Sequence, residues 1–516
     1  MNGAQALLNT AVEAGIEVCF ANAGTTEMSI VTAFDSTPRI KPILGLFEGV
    51  CTGAADGYGR MKEKPALTLM HLGPGTANGV ANLHNARRAR SPLFMVIGEH
   101  ASWHIKADPL LNMDIAGLCS TFSGWQRTSA SVASIPADTA GGIAACRYGL
   151  VASLIVPSDY LWTEYQGVPA TIPSFSLDPI NQGQVEAAAE VLRSGKKTAL
   201  IMNGRALLGR GLAAVARIRA KTGCDLFSVT FPSRIERGAG LVPVTRIPYF
   251  PDHARALLAP YEAALFAGTD EPATFFGYEG QPSYFMGPEV KRLRLDGDRQ
   301  NTESALEALA DMLGAPSSGA SLEKVSAPYR RPKLPTGKLT PEKVCLAIAA
   351  LQPENAIVID EGLTSTTAYS ALDATVAPHS LLYLTGGAIG QGMPVATGAA
   401  VACPERPVIN IQADGSGMYT LQSLWTQARE GLNVKTLLCA NRSYNIIRLE
   451  LDRAGYTEPG TSSLSLIDLG NPNLDWVSLA KGMGVPGVSV ETSEDLVREL
   501  KIALAEPGPR LIEMVL

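Results

Sequence analysis

Residues 407–447 read PVINIQADGSGMYTLQSLWTQAREGLNVKTLLCANRSYNII, and the order of patterns in this stretch decides the fold. Val408 to Gln412 is an aliphatic run of strand length, and Asp414-Gly415-Ser416-Gly417 predicts a tight turn after it. Leu421, Leu424, Trp425 and Ala428 then recur at i, i+3, i+4 and i+7, the apolar stripe of a helix that Gly431 ends. Val434 to Ala440 is the next strand. Such a β-α-β unit crosses over with a right hand and leaves its strands parallel. Asp414 and Asn441, 27 positions apart, are therefore expected at the same edge of one sheet.

The same alternation runs outward through the chain. VCFA, ILGL, ALTLM, FMVIG and ASLIVP precede residue 160; TALIMNG, LFSVT and AALFAG occupy the middle; AIVID, LLYLT and PRLIEMVL join the strands above. Short apolar strands alternating with helices predict parallel sheets covered on both faces. Two stretches read as linkers, 166–182 (QGVPATIPSFSLDPINQ) and the Pro-, Ser- and base-rich 314–340. The expected fold class is α/β, with three doubly wound parallel-sheet domains at about 1–168, 180–315 and 338–516. Ligands of such sheets bind beyond the carboxyl ends of the strands.

Composition excludes several classes. Charged residues are 18% and hydrophobic residues 46% of 516, which suits large buried surfaces. A net charge of -6 provides no basic stripe for nucleic acid. The smoothest apolar stretch, Gly386 to Cys403, carries Gln391, Pro394 and five glycines and is no convincing membrane span. The N-terminus lacks a basic n-region and reads as an amphipathic helix with Glu13 and Glu17 at helical spacing. Eight scattered cysteines without C-x-x-C suit reduced thiols in a cytoplasmic protein.

Chemistry concentrates in four places. A carboxylate at Asp414 and an amide oxygen at Asn441 suit a hard divalent cation such as Mg²⁺, which shares its six oxygens with phosphates and water. The glycines beside Asp414 let backbone N–H groups approach a diphosphate. Taken singly, Asp414 capping a helix and Asn441 filling a turn is the ordinary alternative. Glu48, a lone acid flanked by Leu46, Phe47 and Val50 at the start of a small-residue helix, is a burial candidate suited to share a proton with a ring nitrogen, with an exposed acid in a helix's first turn as the ordinary alternative if it is taken alone. The glycine-rich run from Gly386 to Pro394 and the hydroxyls of Thr364 and Ser365 complete the set, with packing turn and N-cap cluster as the plain alternatives.

Together these motifs (ANAGTTE, FEGVCTGAADGYGR, HLGPGTANG and ADGS…ANRSYN) resemble the thiamine-diphosphate enzymes of the acetolactate synthase, benzoylformate decarboxylase and pyruvate oxidase family, over essentially the whole chain. Ala413 stands where that family usually has the first Gly of G-D-G. The resemblance implies pyrimidine-binding, central and diphosphate-binding domains. Asp414, Asn441 and the Ser443 carbonyl would hold Mg²⁺, while Thr364, Ser365, Gly415, Ser416 and Tyr444 would line the diphosphate. The Gly387 carbonyl would bond the aminopyrimidine, and Ile389 would wedge under the bent cofactor. Glu48 would bond the pyrimidine and promote formation of the C2 ylide, acting on the cofactor of a partner subunit. A homodimer is then the minimal active unit, and a homotetramer the expected assembly. The ylide would attack a 2-oxo acid, CO₂ would leave, and the enamine would be protonated or would attack a second carbonyl.

His71 separates the members. It falls where benzoylformate decarboxylase has a catalytic His and acetolactate synthases usually have a small residue; Thr25 falls on that decarboxylase's substrate-touching serine. The second decarboxylase His would follow GTDEPATFFGY, where this chain has none. His100 and His104 follow FMVIG, and with no third ligand evident a surface or interface place is expected for both. No G-x-G-x-x-G marks a flavin site in the middle domain, so FAD is not expected. The expected function is a thiamine-diphosphate- and Mg²⁺-dependent 2-oxo acid decarboxylase, with acetolactate-synthase-like carboligation as the alternative.

Overall fold

The computed structural model describes residues 1–516 and contains three sheets. The first holds β1 (Val18–Ala21), β2 (Lys41–Leu44), β3 (Ala66–His71), β4 (Leu93–Glu99), β5 (Trp125–Thr128) and β6 (Val151–Pro157) in the order β2-β1-β3-β4-β6-β5. The second holds β7 (Thr198–Met202), β8 (Asp225–Ser228), β10 (Thr245–Arg246), β11 (Ala263–Ala267) and β12 (Lys291–Arg294) in the order β10-β8-β7-β11-β12; β9 (Ile235–Arg237) lies between β8 and β10 in sequence but not in this sheet. The third holds β13 (Ile357–Glu361), β14 (His379–Tyr383), β15 (Val408–Ala413), β16 (Val434–Ala440), β17 (Gly487–Val490) and β18 (Arg510–Val515) in the order β17-β18-β16-β15-β13-β14-β9. Every pairing is parallel except β14 with β9. That antiparallel edge, contributed by a strand from the middle of the chain, departs from the purely parallel sheets the sequence suggests.

Central strands are buried on both faces: every residue of β4, β6, β7, β11, β13 and β16 is buried. This is why they read as continuous apolar runs rather than alternating ones. The sequence misses β5, β9, β10, β12 and β17 and places β2 two residues late. All six lie at sheet edges. Their sequences, such as WQRT, IER and KRLR, carry the charge that protects an edge, and Pro42 in β2 is tolerated there because an edge strand need not donate on both sides.

The first helix, Gly3–Glu13, starts in a capping box between Asn2 and Gln5 and buries Leu7, Leu8 and Val12. Glu17 lies past its end, beyond the left-handed Gly15, and not on the same helix as expected. No helix is long and apolar enough to cross a membrane. All eight cysteines are free and seven are buried.

The N- and C-terminal sheets are joined by helix Glu48–Lys62 lying on helix Gly392–Ala402, and the two backbones touch. A β-carbon on Gly398 would sit 1.8 Å from the Ala54 carbonyl oxygen, and one on Gly57 would sit 2.1 Å from the Val395 carbonyl oxygen. Gly398→Ala is therefore expected to push the helices apart and destabilise the chain by about 1–3 kcal/mol or more. Denaturant unfolding would read this as a lower midpoint. The exposed helical Gly482, with open space around it, is the control: Gly482→Ala should leave the midpoint level or slightly raised.

Candidate active site

Ala413 of β15 pairs with Cys439 of β16, so Asp414 and Asn441 leave neighbouring strands at one edge. Residues Asp414–Gly417 form one helical turn rather than the expected tight turn. Asp414 is 3% exposed, and its carboxylate accepts the Arg442 N–H at 2.6 Å and the Gly415 N–H at 2.8 Å. Burial pushes its pKa up, against the pull of those N–H groups. Asn441 Oδ1 accepts the Ser443 N–H at 3.1 Å. Arg442 takes a left-handed φ of 56°, and its carbonyl accepts the Leu469 N–H at 2.8 Å while Tyr444 donates to the Ile467 carbonyl at 2.9 Å. The Ser443 carbonyl between these bonds has no partner in the chain. A carboxylate, an amide oxygen and a free carbonyl at one strand edge are the hard oxygen donors that Mg²⁺ takes.

Around this edge, the ring of Tyr444 covers Gly415, where a β-carbon would lie 2.5 Å from Cε1. Ser416 turns its hydroxyl inward, onto Gln412 Nε2 at 2.6 Å and the Ala413 carbonyl at 3.2 Å, so its side chain does not face a ligand. Thr364 Oγ1 accepts Asn445 Nδ2 at 3.4 Å, next to Tyr444, whereas Ser365 is buried at 3% exposure.

The glycine-rich turn is held from inside by Glu361, which sequence reasoning passed over. Its carboxylate, 1% exposed, accepts N–H groups of Gly390, Gln391 and Gly392 and the Gln412 side chain. Burial raises its pKa and those donors oppose the rise. Outside, His84 meets the Gly386 carbonyl at 3.1 Å and Asn85 takes both polar groups of Ala388. Gly387 between them, at φ 77°, leaves its carbonyl without a partner and is exposed; Ile389 beside it is half-buried. A rigid turn with one free carbonyl is a ready acceptor for a ligand amine. These donors and acceptors fit the diphosphate and aminopyrimidine ends of thiamine diphosphate.

In the first sheet the chain reverses direction between β1 and β3, the switch point where parallel sheets open a crevice. Glu27 follows β1 and His71 ends β3. His71 Nδ1 lies 2.9 Å from Glu27 Oε2 and 3.1 Å from Thr26 Oγ1, and Glu27, fully buried, also accepts the Gly24 N–H at 2.7 Å and the Thr26 hydroxyl. Gly24 lets the backbone approach the imidazole, since a β-carbon there would be 2.3 Å from its ring. Thr26 therefore meets His71, and the expected Thr25 is exposed on the lip. Glu27 was legible only as the fourth residue of the Gly24-Thr25-Thr26-Glu27 turn.

Glu48 opens helix Glu48–Lys62 and accepts Asn78 Nδ2 at 3.0 Å. It is half-buried, with Leu44 36% and Leu46 44% exposed beside it, so the single chain does not supply the burial expected for it. Asn78 belongs to helix Leu72–Ala89, which holds the Gly386–Ala388 turn through His84 and Asn85, about 10 Å further along at 1.5 Å per residue. No hydrogen bond or ion pair joins Glu48 to that turn or to Asp414. Between them runs a buried network: Asp56 pairs with Arg60 and accepts Gln391 Nε2 at 2.7 Å, and Arg60 donates to the Tyr383 carbonyl at 2.8 Å.

Residues 1–118 match the thiamine pyrophosphate enzyme N-terminal TPP binding domain, and residues 360–514 match the C-terminal TPP binding domain. The chain is 46% identical to a Mycobacterium tuberculosis protein named "Putative acetolactate synthase large subunit IlvX", over 100% of this chain and 99% of the other. It is 28% identical to benzoylformate decarboxylase of Pseudomonas aeruginosa, covering 97% and 96% of the two chains. Its fold superposes on the Rhodococcus jostii thiamine diphosphate-dependent 4-hydroxybenzoylformate decarboxylase with a TM-score of 0.86 at 23% identity, over 99% of this chain and 98% of that one. With two cofactor-binding domains matched and a relative this similar along its whole length, the chain belongs to the thiamine-diphosphate-dependent enzyme family that includes acetolactate synthases and benzoylformate decarboxylases.

Proposed function

We propose that the chain is a Mg²⁺-dependent 2-oxo acid decarboxylase, active as a homodimer in which Glu48 of one subunit serves the cofactor held by the other. When bound, thiamine diphosphate supplies the nucleophilic carbon and the electron sink for cleavage beside a carbonyl. In this reading Asp414, Asn441 and the Ser443 carbonyl hold Mg²⁺, the Gly387 carbonyl and Ile389 orient the aminopyrimidine end, and Thr364, Gly415 and Tyr444 border the diphosphate, while the buried hydroxyls of Ser365 and Ser416 are given no part in it. The subunit exchange is supported by the open Leu44 and Leu46 around Glu48 and by the absence of any hydrogen bond from Glu48 to its own chain's glycine turn.

The observation that carries the decarboxylase reading is the buried Glu27 behind His71. Glu27, already accepting from Gly24 and Thr26, also accepts from His71 Nδ1, which leaves Nε2 as the free ring nitrogen. An imidazole fixed in this way can deliver a proton to the carbon that loses CO₂, or hold the substrate carboxylate. The second reading, carboligation of two oxo acids or of an oxo acid and an aldehyde, is favoured by the name of the relative at 46% identity.

His71→Ala decides between them. General acid–base groups contribute about 10²–10⁴ in rate, so the variant is expected to release CO₂ at least about tenfold more slowly with thiamine diphosphate affinity nearly unchanged. A screen of 2-oxo acids for CO₂ release, each with and without an acceptor aldehyde, provides the substrate for the comparison. If the variant decarboxylates normally and still joins two oxo acids, the carboligase reading leads.

A further inference from the structure

Beyond the candidate active site, a cavity of about 290 Å³ opens at the carboxyl ends of strands from the second and third sheets, the place where parallel sheets take ligands. Arg246, which ends β10, and Asp360 of β13 both line it, and helix Asn445–Arg453 closes a third side. Its wall is aromatic: Phe231 stands between Tyr249 and Tyr383, with 6.4 and 6.5 Å between ring centroids. The Arg246 guanidinium lies 4.9 Å over the Tyr383 ring and donates to nothing in the chain. Asp360 is 8% exposed, and only its Oδ1 is used, by the Gly362 N–H at 3.2 Å and the Thr366 hydroxyl at 2.7 Å. Oδ2 accepts from no group, yet it keeps accessible surface. The two charges feel each other without forming an ion pair: burial pushes the Asp360 pKa up, and Arg246 pulls against the rise. Neighbouring charges are matched, Arg237 with Asp373, Arg453 with Asp252, and Glu450 with the Tyr278 hydroxyl at 3.2 Å. An unmatched cation and an unmatched buried carboxylate on one cavity are costly unless a ligand meets both.

We propose that this cavity binds an α-amino acid with an aromatic side chain, its carboxylate on Arg246, its ammonium on Asp360 Oδ2 and its ring against Phe231, Tyr249 and Tyr383. A bare carboxylate would satisfy Arg246 and be repelled by an ionised Asp360, and a bare amine would do the reverse. A zwitterion answers both charges and adds no net charge to the cavity. Tilted ring contacts like those already in the wall extend to a ligand ring. A 2-oxo acid, the substrate class proposed above, has no ammonium for Asp360, so the occupant is a different ligand from the substrate. Glu48, His71, Asp414 and Asn441 do not line this cavity. Thr364 and Asn445 do, and their 3.4 Å hydrogen bond also borders the proposed diphosphate edge. A bound amino acid would lie against that edge without entering it.

Isothermal titration of L-phenylalanine into the full chain, with thiamine diphosphate and Mg²⁺ present, is expected to show a single class of site. 3-Phenylpropanoate, which lacks the ammonium, and 2-phenylethylamine, which lacks the carboxylate, should each bind at least about tenfold more weakly, a comparison that needs no variant. Arg246→Gln and Asp360→Asn, checked for fold by circular dichroism, should each weaken L-phenylalanine binding at least about tenfold, while His71→Ala leaves it unchanged. No binding of L-phenylalanine overturns the proposal, as does wild-type affinity in folded Arg246→Gln or Asp360→Asn. Binding of 3-phenylpropanoate as tight as that of L-phenylalanine overturns it by making the cavity an anion site beside a protonated Asp360. Loss of binding in His71→Ala overturns it by placing the amino acid in the catalytic cleft.

Discussion

Asp414→Ala is expected to abolish Mg²⁺-dependent binding of thiamine diphosphate while the chain remains folded. The carboxylate is the only charged donor in the proposed ligand set, beside a neutral amide from Asn441 and a neutral carbonyl from Ser443, so its loss removes the main attraction for the cation. It also frees the Arg442 N–H and with it the left-handed turn that presents Ser443. The fold should survive because these bonds lie beyond the strand ends, outside the buried rows of β15 and β16. Isothermal titration with Mg²⁺ present reads the affinity, and circular dichroism reads the fold. An unchanged affinity would remove Asp414 from the metal site.

The second large effect is expected at Glu48. Glu48→Gln retains an oxygen for Asn78 but cannot pass a proton, so the cofactor should still bind while hydrogen exchange at its thiazolium C2 slows by about 10²–10⁴. Quenched-flow NMR measures that exchange, and a wild-type rate would leave Glu48 with a structural task only. The same variant tests the shared site. If Glu48 serves the partner subunit's cofactor, co-refolding Glu48→Gln with Asp414→Ala chains makes mixed dimers in which one of two sites is intact. Random pairing in a two-fold dimer then restores about a quarter of the wild-type sites. If each chain serves itself, mixing restores nothing.

Much of the fold is legible in the sequence. The common edge of Asp414 and Asn441 is legible because a strand, a helix and a strand in that order put their ends together, a local rule of chain geometry. Central strands were found for the same kind of reason: burial on both faces forces continuous apolar runs into β4, β13 and β16. The missed strands all lie at edges, where one side faces no neighbour and polar sequence is allowed.

Tertiary structure decided what depends on distant parts of the chain meeting. Glu27 gains its meaning only when the loop after β1 closes over the end of β3, some 44 residues away, and Glu361 only when the Gly390–Gly392 turn folds onto it. No periodicity encodes those approaches. Glu48 shows the limit in the other direction: its apolar flanks suggested burial, yet Leu44 and Leu46 remain open in the single chain. His100 and His104 are indistinguishable by spacing, and only the structure shows that His100 Nε2 is buried without a partner while His104 packs against an exposed tryptophan. Central strands and the common edge of a β-α-β unit follow from local pattern, because neighbouring parallel strands satisfy each other's backbone hydrogen bonds; strand order, including β9 beside β14, and the pairing of buried side chains depend on contacts between segments far apart in sequence.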